Sequence, residues 1–267
     1  MHMPYGKMIL YADDAQFLDT EPPSNSHVLK ARVEANFSTA FKWFTQNRLK
    51  INPSKTEMVV IKSKRMKFDE KFSVQFGAEL VTPSSNVKVL GVIIDQHLSW
   101  ERHVSIVVQR CYAVLIGLAR MRHRVPEATK RMLVESLVLP HVRYCVSVWG
   151  SCTIEQKKRV QRAINFGARI VTGLGRREHV TPVLEQLGWQ KIDEMIRAHD
   201  VSIVSRLLTA SDAAEILCAK LVPRSEISSQ RTRASTSGQL QLPRVKTELA
   251  RRSFMCRAIR AWNSALE

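Results

Sequence analysis

Two adjacent aspartates, Asp13 and Asp14, interrupt an apolar stretch near the start of the chain. Met8-Ile9-Leu10 precedes them and Phe17-Leu18 follows. Like charges repel each other and aspartate is depleted within strands, so the pair does not suit the middle of a strand. The pattern therefore predicts a β-hairpin from Lys7 to Leu18, with the two carboxylates at or near its turn.

A carboxylate pair at a turn can hold a divalent metal ion. Mg²⁺ prefers oxygen ligands, usually one or two carboxylates plus substrate phosphates, and polymerases use two such ions for phosphoryl transfer. The Tyr-x-Asp-Asp box that begins at Tyr11 therefore indicates nucleotide chemistry on a nucleic acid. The alternative for these four residues alone is a surface turn with solvated aspartates, since so short a match also arises by chance.

The charge of the chain favours a polyanionic partner. The net charge is +17, and the sequence pI is about 10.1. Residues 1–100 carry 13 Lys and Arg against 10 Asp and Glu, a net of +3, whereas residues 101–267 carry 28 against 14, a net of +14. Lysine and arginine that neutralise phosphates release counterions and so drive binding, which makes nucleic acid the favoured partner. The alternative is a basic surface that only aids solubility.

Cysteine usage and hydropathy indicate the cellular compartment of the protein. The chain has five cysteines, an odd number with no C-x-x-C spacing, so neither a disulfide framework nor a zinc site is predicted. Cys111 and Cys218 lie in apolar runs and are predicted to be core residues. The N-terminus has no apolar signal segment, and no apolar run approaches the roughly 18 residues needed to span a membrane. We expect an intracellular protein, nuclear or cytoplasmic, that is neither secreted nor inserted in a membrane.

Up to residue 100 the pattern alternates between helix and strand. Apolar residues recur every three or four positions from His27 to Asn47, which predicts an amphipathic helix. Asn52-Pro53-Ser54 is typical of a turn. Strands are predicted over Glu57–Lys62, Phe72–Phe76, Val87–Ile94 and a short segment near Leu80-Val81. This order predicts an α+β fold in which helix packs on one face of antiparallel strands.

After Trp100 the pattern becomes wholly helical. Predicted domains are 1–100, a helical region 101–223, a polar linker 224–243 and a basic C-terminal helix 244–267. Trp100, Trp149 and Trp189 are predicted to be core. Helices are predicted from Val104 to Leu118, from Pro126 onward, over Ile154–Val171, over Leu187–Leu208 and over Arg244–Leu266.

The helix over Ile154–Val171 carries a basic stripe. Lys158, Arg162 and Arg169 share a face away from its apolar positions, and Lys157 is adjacent to them. These four residues are predicted to contact a nucleic-acid backbone. A solvated helix surface is the alternative for each of them.

An ordered series of motifs runs along the chain beyond the Tyr11–Asp14 box. It includes Asn52-Pro53-Ser54-Lys55-Thr56, Val87–Asp95, Leu98-Ser99-Trp100 and Tyr144–Gly150. The series resembles the C-terminal half of the reverse transcriptase of non-LTR retrotransposons, the Jockey-like and related elements. The resemblance covers nearly the whole chain, and the ordered set is far more specific than any one motif.

The resemblance implies an RNA-directed DNA polymerase, with a partial palm followed by a helical thumb. It implies Mg²⁺ or Mn²⁺ as cofactor, an RNA template, a DNA primer and deoxynucleoside triphosphates. By this resemblance, Asp13 is a direct metal ligand and Asp14 is a supporting carboxylate. Tyr11 lies near the nucleotide or the primer end, and Lys55 neutralises charge on the leaving phosphates. Leu90 and Gly91 belong to the primer grip.

The chain departs from the pattern of this family in two respects. The family's other catalytic aspartate and its fingers lie upstream of the Asp-Asp box, whereas this sequence begins at Met1, just before it. Val89 also stands where the primer-grip strand usually has an aromatic residue. We therefore expect a C-terminal fragment that is inactive by itself. The alternative is a non-catalytic, basic nucleic-acid-binding remnant of such a polymerase.

Overall fold

The computed structural model of the protein describes residues 4–12, 14–69, 71–77, 79–210, 214–227 and 238–266. The chain divides into two compact units, Met1–Ser99 and Trp100–Glu267. We call them the hairpin unit and the helical unit. The predicted domain boundaries themselves stay predictions.

The hairpin unit consists of one long helix and antiparallel strand pairs. Its strands pair as β1–β2, β3–β4 and β5–β6, and the described residues contain no larger sheet. This mixture of helix and antiparallel strands agrees with the predicted α+β class. The elements are β1 (Lys7–Tyr11), β2 (Asp14–Leu18), α1 (Ser26–Gln46), β3 (Val74–Phe76), β4 (Glu79–Val81), β5 (Asn86–Val89) and β6 (Val92–Asp95).

An aromatic cluster forms the core of the hairpin unit. Phe37 of α1 is buried at its centre. Its ring lies edge-on to Phe17 of β2, with centroids 5.5 Å apart, and tilted against Phe76 of β3 at 4.7 Å. Aromatic pairs at these separations add to the gain from burial. The predicted helix over His27–Asn47 is therefore confirmed, and its apolar stripe packs on β2 and on the β3–β4 hairpin.

Two predicted strands are wrong. No strand forms over Glu57–Lys62, where Met58 makes only an isolated bridge with Pro83 and the Lys62 N–H donates to the Gln96 carbonyl at 2.8 Å. The single strand predicted over Val87–Ile94 is instead the β5–β6 hairpin. Two-residue hairpin turns usually have Asn or Asp before the glycine. Here Leu90 precedes Gly91, so the apolar run gave no sign of a turn.

The helical unit contains α2 (Glu101–Met121), α3 (Glu127–Leu137), α4 (Leu139–Arg143), α5 (Val146–Trp149), α6 (Ile154–Thr172), α7 (Thr181–Leu187), α8 (Ile192–Thr209), α9 (Glu215–Cys218), α10 (Arg224–Ile227), α11 (Glu248–Arg252) and α12 (Phe254–Leu266). The predicted helices over Val104–Leu118 and Ile154–Val171 are confirmed as α2 and α6. Pro126 directly precedes α3, as predicted.

Two predicted helices are wrong in extent. The helix predicted over Leu187–Leu208 begins only at Ile192, because Gly188 ends α7 in a left-handed conformation with φ 69°. The helix predicted over Arg244–Leu266 is interrupted at Ser253, which separates α11 from α12.

The core of the helical unit is nearly sealed from solvent. Trp149, Leu115 and Met195 are at most 1% exposed, and α2 packs on α6 while α8 packs on α12. The core positions predicted for Cys111, Trp100, Trp149 and Trp189 are confirmed, whereas Cys218 is only half-buried. Gly150 permits close packing here, because a Cβ atom would lie 2.6 Å from the Val146 carbonyl oxygen.

The described ends of the predicted linker are ordered elements of the helical unit. Residues 224–227 form α10, and Leu240 is buried and bridges to Pro223. Residues 228–237 lie outside the described part of the chain.

Helix α2 has one further property. It is the helix within the described residues that is long and apolar enough to cross a membrane, judged by length and composition alone. Val104, Cys111 and Leu115 on this helix are fully buried within the helical unit, whereas Ile116 is 47% exposed. Core helices meet the same criteria, so the finding is a weak sign of a membrane segment.

Candidate functional site

The described residues of the Tyr11–Asp14 box lie at the end of a hairpin, as the sequence predicted. Tyr11 and Asp14 are the last pair of the β1–β2 ladder, and Ala12 has a φ of 51°. Both members of this pair are exposed, Tyr11 by 64%. Asp13, the predicted direct metal ligand, lies outside the described residues. The Asp14 carboxylate is thus available to a ligand from solvent.

Helix α1 fixes the base of this hairpin through a buried asparagine. The Asn36 amide donates to the Tyr5 carbonyl oxygen at 3.0 Å and accepts from the Tyr5 N–H at 3.2 Å. Gly6 follows with φ 61°, and a Cβ there would lie 2.3 Å from the Leu18 carbonyl oxygen. A polar residue beside Phe37 on the apolar face of α1 was the signal in the sequence for this contact.

An arginine adds a second link between α1 and the hairpin. Arg32 pairs with Asp19 at 3.1 Å and also contacts the Glu21 carboxylate. Its guanidinium carbon lies 5.1 Å from the centroid of the Tyr5 ring, in a cation–π geometry. The sequence gives no signal for this cluster, because its partners lie outside any helical or strand period.

The hairpin exposes much of its apolar surface. Ile9 is 50%, Leu10 51% and Leu18 52% exposed. Among the described residues, no third strand pairs with β1 or β2. Exposed apolar side chains on both faces of an unpaired hairpin mark an interaction site or an aggregation risk.

Lys55 ends a short 3₁₀ turn, Pro53–Lys55, and is exposed. The turn predicted at this motif is confirmed: the Asn52 side-chain oxygen accepts from the Ser54 hydroxyl at 2.7 Å and from its N–H at 3.2 Å. Ile51 and Met58, on either side, pack against the same aromatic core as Phe17 of β2. One core therefore supports both the lysine segment and the Asp-Asp hairpin.

Leu90 and Gly91 form the two-residue turn of the β5–β6 hairpin. Their φ angles are 45° and 84°, and Val89 pairs with Val92 across the turn. Positive φ at both central positions is characteristic of a type I′ turn. The single strand predicted through these two residues is therefore wrong, because they reverse the chain, whereas a hairpin at this place agrees with the primer-grip hairpin that the resemblance implied.

The donor chemistry at the first hairpin suits a hard cation. Asp14 supplies carboxylate oxygens, the ligand type that Mg²⁺ prefers. However, the described residues contain no group of three or more His, Cys, Asp or Glu that could hold a metal ion. A metal bound here would need further oxygen ligands, such as substrate phosphates.

The basic residues predicted on α6 are engaged in contacts within the helical unit. Lys157 pairs with Asp193 of α8 at 2.7 Å. Lys158 and Arg162 share the exposed carboxylate of Glu155, at 3.8 and 3.1 Å. Because one carboxylate faces two cations, this part of the helix keeps an excess positive charge.

Arg169 is also held by backbone groups beyond the end of α6. Its guanidinium donates to the Glu178 carbonyl oxygen at 2.7 Å and contacts the carbonyl oxygen of Gly175. Arg162 and Arg169 nevertheless line one pocket of about 320 Å³, together with Tyr112, Asn165 and Phe166. The structure thus adds an aromatic component to the predicted basic face, which the sequence did not reveal because Tyr112 lies on α2.

A polar cluster fixes α6 against α2. Thr153 and Gln156 form a capping box at the start of α6, a Thr-x-x-Gln signature readable in the sequence. The Gln156 amide also donates to Glu101 at 2.7 Å, and Arg159 pairs with the same carboxylate at 2.5 Å. The hydrogen bond from Gln156, followed by those from Arg159, lowers the pKa of Glu101 below its ordinary value.

The chain is similar to known transposon proteins. It is 24% identical over 201 residues to the Probable RNA-directed DNA polymerase from transposon BS of Drosophila melanogaster, over 74% of this chain and 22% of that protein. It is 26% identical over 136 residues to the Probable RNA-directed DNA polymerase from transposon X-element of the same organism, over 49% of this chain and 14% of that protein.

The similarity supports a relationship of this chain to transposon reverse transcriptases. The chain spans less than a quarter of the length of either relative. No protein-family profile matches the sequence, and no solved structure matches it.

Proposed function

We propose that the chain is the C-terminal palm-and-thumb portion of an RNA-directed DNA polymerase, a nucleotidyltransferase of a non-LTR retrotransposon of the Jockey-like or a related kind. The observation that carries the proposal is the exposed Tyr11–Asp14 end of the β1–β2 hairpin, in a chain similar to two transposon polymerases. The exposed apolar face of this hairpin supports a site that other parts of a palm complete. Such an enzyme acts inside the cell, in nucleus or cytoplasm.

The residues of the hairpin unit have distinct roles in this proposal. Asp13 and Asp14 hold divalent metal ions, Mg²⁺ or Mn²⁺, and Tyr11 packs near the nucleotide or the primer end. Held by these two carboxylates, such ions would supply the activation of the primer 3′-hydroxyl and the stabilisation of the leaving pyrophosphate. Lys55 neutralises charge on the leaving phosphates.

The β5–β6 hairpin serves as the primer grip. Its type I′ turn holds Leu90 and Gly91 at the tip of a two-stranded ribbon. Gly91 lacks a side chain, so a primer backbone can approach it closely.

The helical unit contributes the nucleic-acid backbone contacts. Lys157, Lys158, Arg162 and Arg169 lie along α6, in the half of the chain with the larger positive excess. In this proposal they face an RNA template paired with a DNA primer, and deoxynucleoside triphosphates are the substrates.

A fusion tests the catalytic part. The segment of the transposon BS polymerase that precedes its similarity to this chain is joined to residues 1–267, and primer extension on an RNA template is measured with Mg²⁺. We expect extension by the fusion and none by residues 1–267 alone, because phosphoryl transfer depends on positioning and on a complete metal site.

The matched variants of that fusion are Asp13→Asn and Glu79→Gln. Asp13→Asn keeps the side-chain shape and removes a charge, and we expect it to abolish extension. Glu79 is exposed on β4, and its substitution should leave extension unchanged. Equal activity of both variants contradicts the assignment of Asp13 and favours the non-catalytic remnant.

Salt dependence tests the nucleic-acid part. The affinity of residues 1–267 for RNA or DNA should fall steeply as salt rises, with a log–log slope of roughly −0.7 to −0.9 per phosphate contact. Changing Lys158, Arg162 and Arg169 together to Glu should weaken it further. An affinity that does not depend on salt, or no binding at low salt, contradicts this role of the helical unit.

A further inference from the structure

The pocket between α2 and α6 combines three kinds of groups that bind nucleotides. Arg162 and Arg169 supply positive charge, Tyr112 and Phe166 supply aromatic surface, and Asn165 supplies an amide. No carboxylate lines it. Gln161 donates a hydrogen bond to the Asn165 side-chain oxygen at 2.8 Å. Within the described residues, the Asn165 amide nitrogen and the Tyr112 hydroxyl have no hydrogen-bond partner.

The two rings form a continuous surface. Their centroids are 5.8 Å apart and their planes are inclined by 32°. For a base to insert between two parallel rings, the rings must be about 7 Å apart, which is twice the stacking distance of about 3.4 Å. A base can therefore stack against the exposed side of the pair but cannot enter between the rings.

The size of the pocket limits its occupant. Its volume of about 320 Å³ lies at the small end of the range of roughly 300–1,000 Å³ for ligand sites. It suits one unpaired nucleotide rather than a duplex, whose bases are already stacked on each other. Single-stranded binding proteins combine a basic groove with stacking aromatic side chains in the same way.

We propose that this pocket binds one unpaired nucleotide of a single-stranded nucleic acid, with its base on Tyr112 and Phe166 and its phosphate near Arg162. The inference rests on the proposed nucleic-acid role of α6 and deepens it. It assigns Tyr112, Asn165 and Phe166 to that surface, where they bind an unpaired stretch of the same nucleic acid whose paired part contacts the other basic residues of α6.

Two oligonucleotides of equal charge test the proposal on the unaltered chain. Fluorescence anisotropy compares a labelled 12-nucleotide oligothymidylate with a strand of the same length that is abasic at every position. We expect about 5- to 100-fold tighter binding of the complete oligonucleotide, the factor expected from stacking of one base. Equal affinity for the two overturns the pocket while leaving the electrostatic role of α6 intact, whereas no binding of either overturns both.

Variants separate the aromatic from the basic contribution. The double variant Tyr112→Leu/Phe166→Leu should reduce oligothymidylate binding to the abasic level without changing the salt slope. Arg162→Gln should weaken both oligonucleotides equally and make the slope shallower by about 0.7. Phe41→Leu, an exposed aromatic residue in the hairpin unit, is the control and should change neither.

Cross-linking tests the site without any substitution. An oligonucleotide with 5-bromodeoxyuridine is irradiated with the unaltered chain, and the labelled peptide is identified by mass spectrometry. Cross-links at Tyr112 or Phe166 support the pocket even if the double variant fails to fold. Cross-links confined to other elements overturn it.

Discussion

The two units of the molecule differ in how far they bury their apolar residues. In the helical unit the side chains of Trp149, Leu115 and Met195 are almost completely shielded. In the hairpin unit the aromatic cluster around Phe37 is buried, yet the Asp-Asp hairpin leaves Leu10 about half exposed. A unit that completes its own core is self-sufficient, whereas exposed apolar strands favour burial against another surface.

The residues that contribute most to stability and the residues of the proposed chemistry therefore lie in different units. The helical unit contains the sealed core, and the hairpin unit contains the carboxylates, the lysine and the tight turn of the proposed palm. The hairpin is held to α1 by the packing of Phe17 on Phe37 and by polar contacts of Asn36 and Arg32. We therefore expect substitutions to have their largest effects on stability in the core of the helical unit and small effects at exposed positions, those of the hairpin included.

The largest loss of stability is expected from Arg257→Ala. Arg257 of α12 donates to the fully buried Asp200 carboxylate at 2.6 Å and to the Ser147 carbonyl oxygen at 2.6 Å. Removing the arginine leaves a buried charge without its partner, which costs about 3–5 kcal/mol. The measurement is urea unfolding followed by tryptophan fluorescence.

The matched control for this prediction is Arg260→Ala on the same helix. Arg260 is exposed, so its loss should change the free energy of unfolding by no more than about 0.5 kcal/mol. Similar effects of the two substitutions would show that the helical core does not depend on the buried ion pair.

The second largest effect is expected from Phe37→Ala in the hairpin unit. Phe37 contacts the rings of both Phe17 and Phe76, and truncating a buried phenylalanine costs about 3 kcal/mol or more. Amide hydrogen exchange should accelerate in peptides from α1 and β3. Phe41→Leu, at an exposed position of α1, is the control. Unchanged exchange in these peptides would contradict a hairpin unit built around Phe37.

The sequence predicted the elements with regular apolar periods better than the contacts between them. The periods of α1 and α6 were readable, because helix spacing is a local signal. The Asp-Asp hairpin was readable too, since adjacent carboxylates do not suit a strand interior. Leu90 and Gly91 were misplaced because their turn lacks the usual Asn or Asp.

The candidate sites were only partly predictable for a physical reason. The pocket brings Tyr112 together with residues of α6 that lie more than fifty positions later in the chain. Such a contact depends on how two helices pack, and no local pattern encodes it. The ion pairs of Arg32 with Asp19 and Glu21 likewise depend on tertiary packing and have no local sequence signal.

A small effect is expected at the exposed hairpin. Ile9→Thr and Leu10→Thr together keep strand propensity but remove apolar surface from solvent, so stability should change by no more than about 0.5 kcal/mol per site. Solubility, measured as the concentration at which aggregates appear by light scattering, should rise. Val74→Thr at a fully buried position is the contrasting variant and should destabilise the chain. Equal destabilisation at the exposed and buried sites would show that the hairpin is covered in solution.

The smallest effect is expected from Glu101→Gln, and it should depend on pH. The Glu101 carboxylate accepts hydrogen bonds from Gln156 and Arg159, which lower its pKa from the ordinary value of 4.5. A lowered carboxyl pKa stabilises the folded state above the unfolded pKa, and this contribution is lost as the pH falls through the folded value. Because the side chain is largely exposed, screening limits the effect to roughly 0.5 kcal/mol, about 1–2 °C in Tm. The Tm difference between the native chain and the variant should be present at pH 7 and should shrink as the pH falls below the ordinary carboxyl pKa of 4.5. The control is Glu127→Gln, at the corresponding first turn of α3. A Tm difference for Glu101→Gln that persists unchanged at pH 3 would contradict the electrostatic link between α2 and α6.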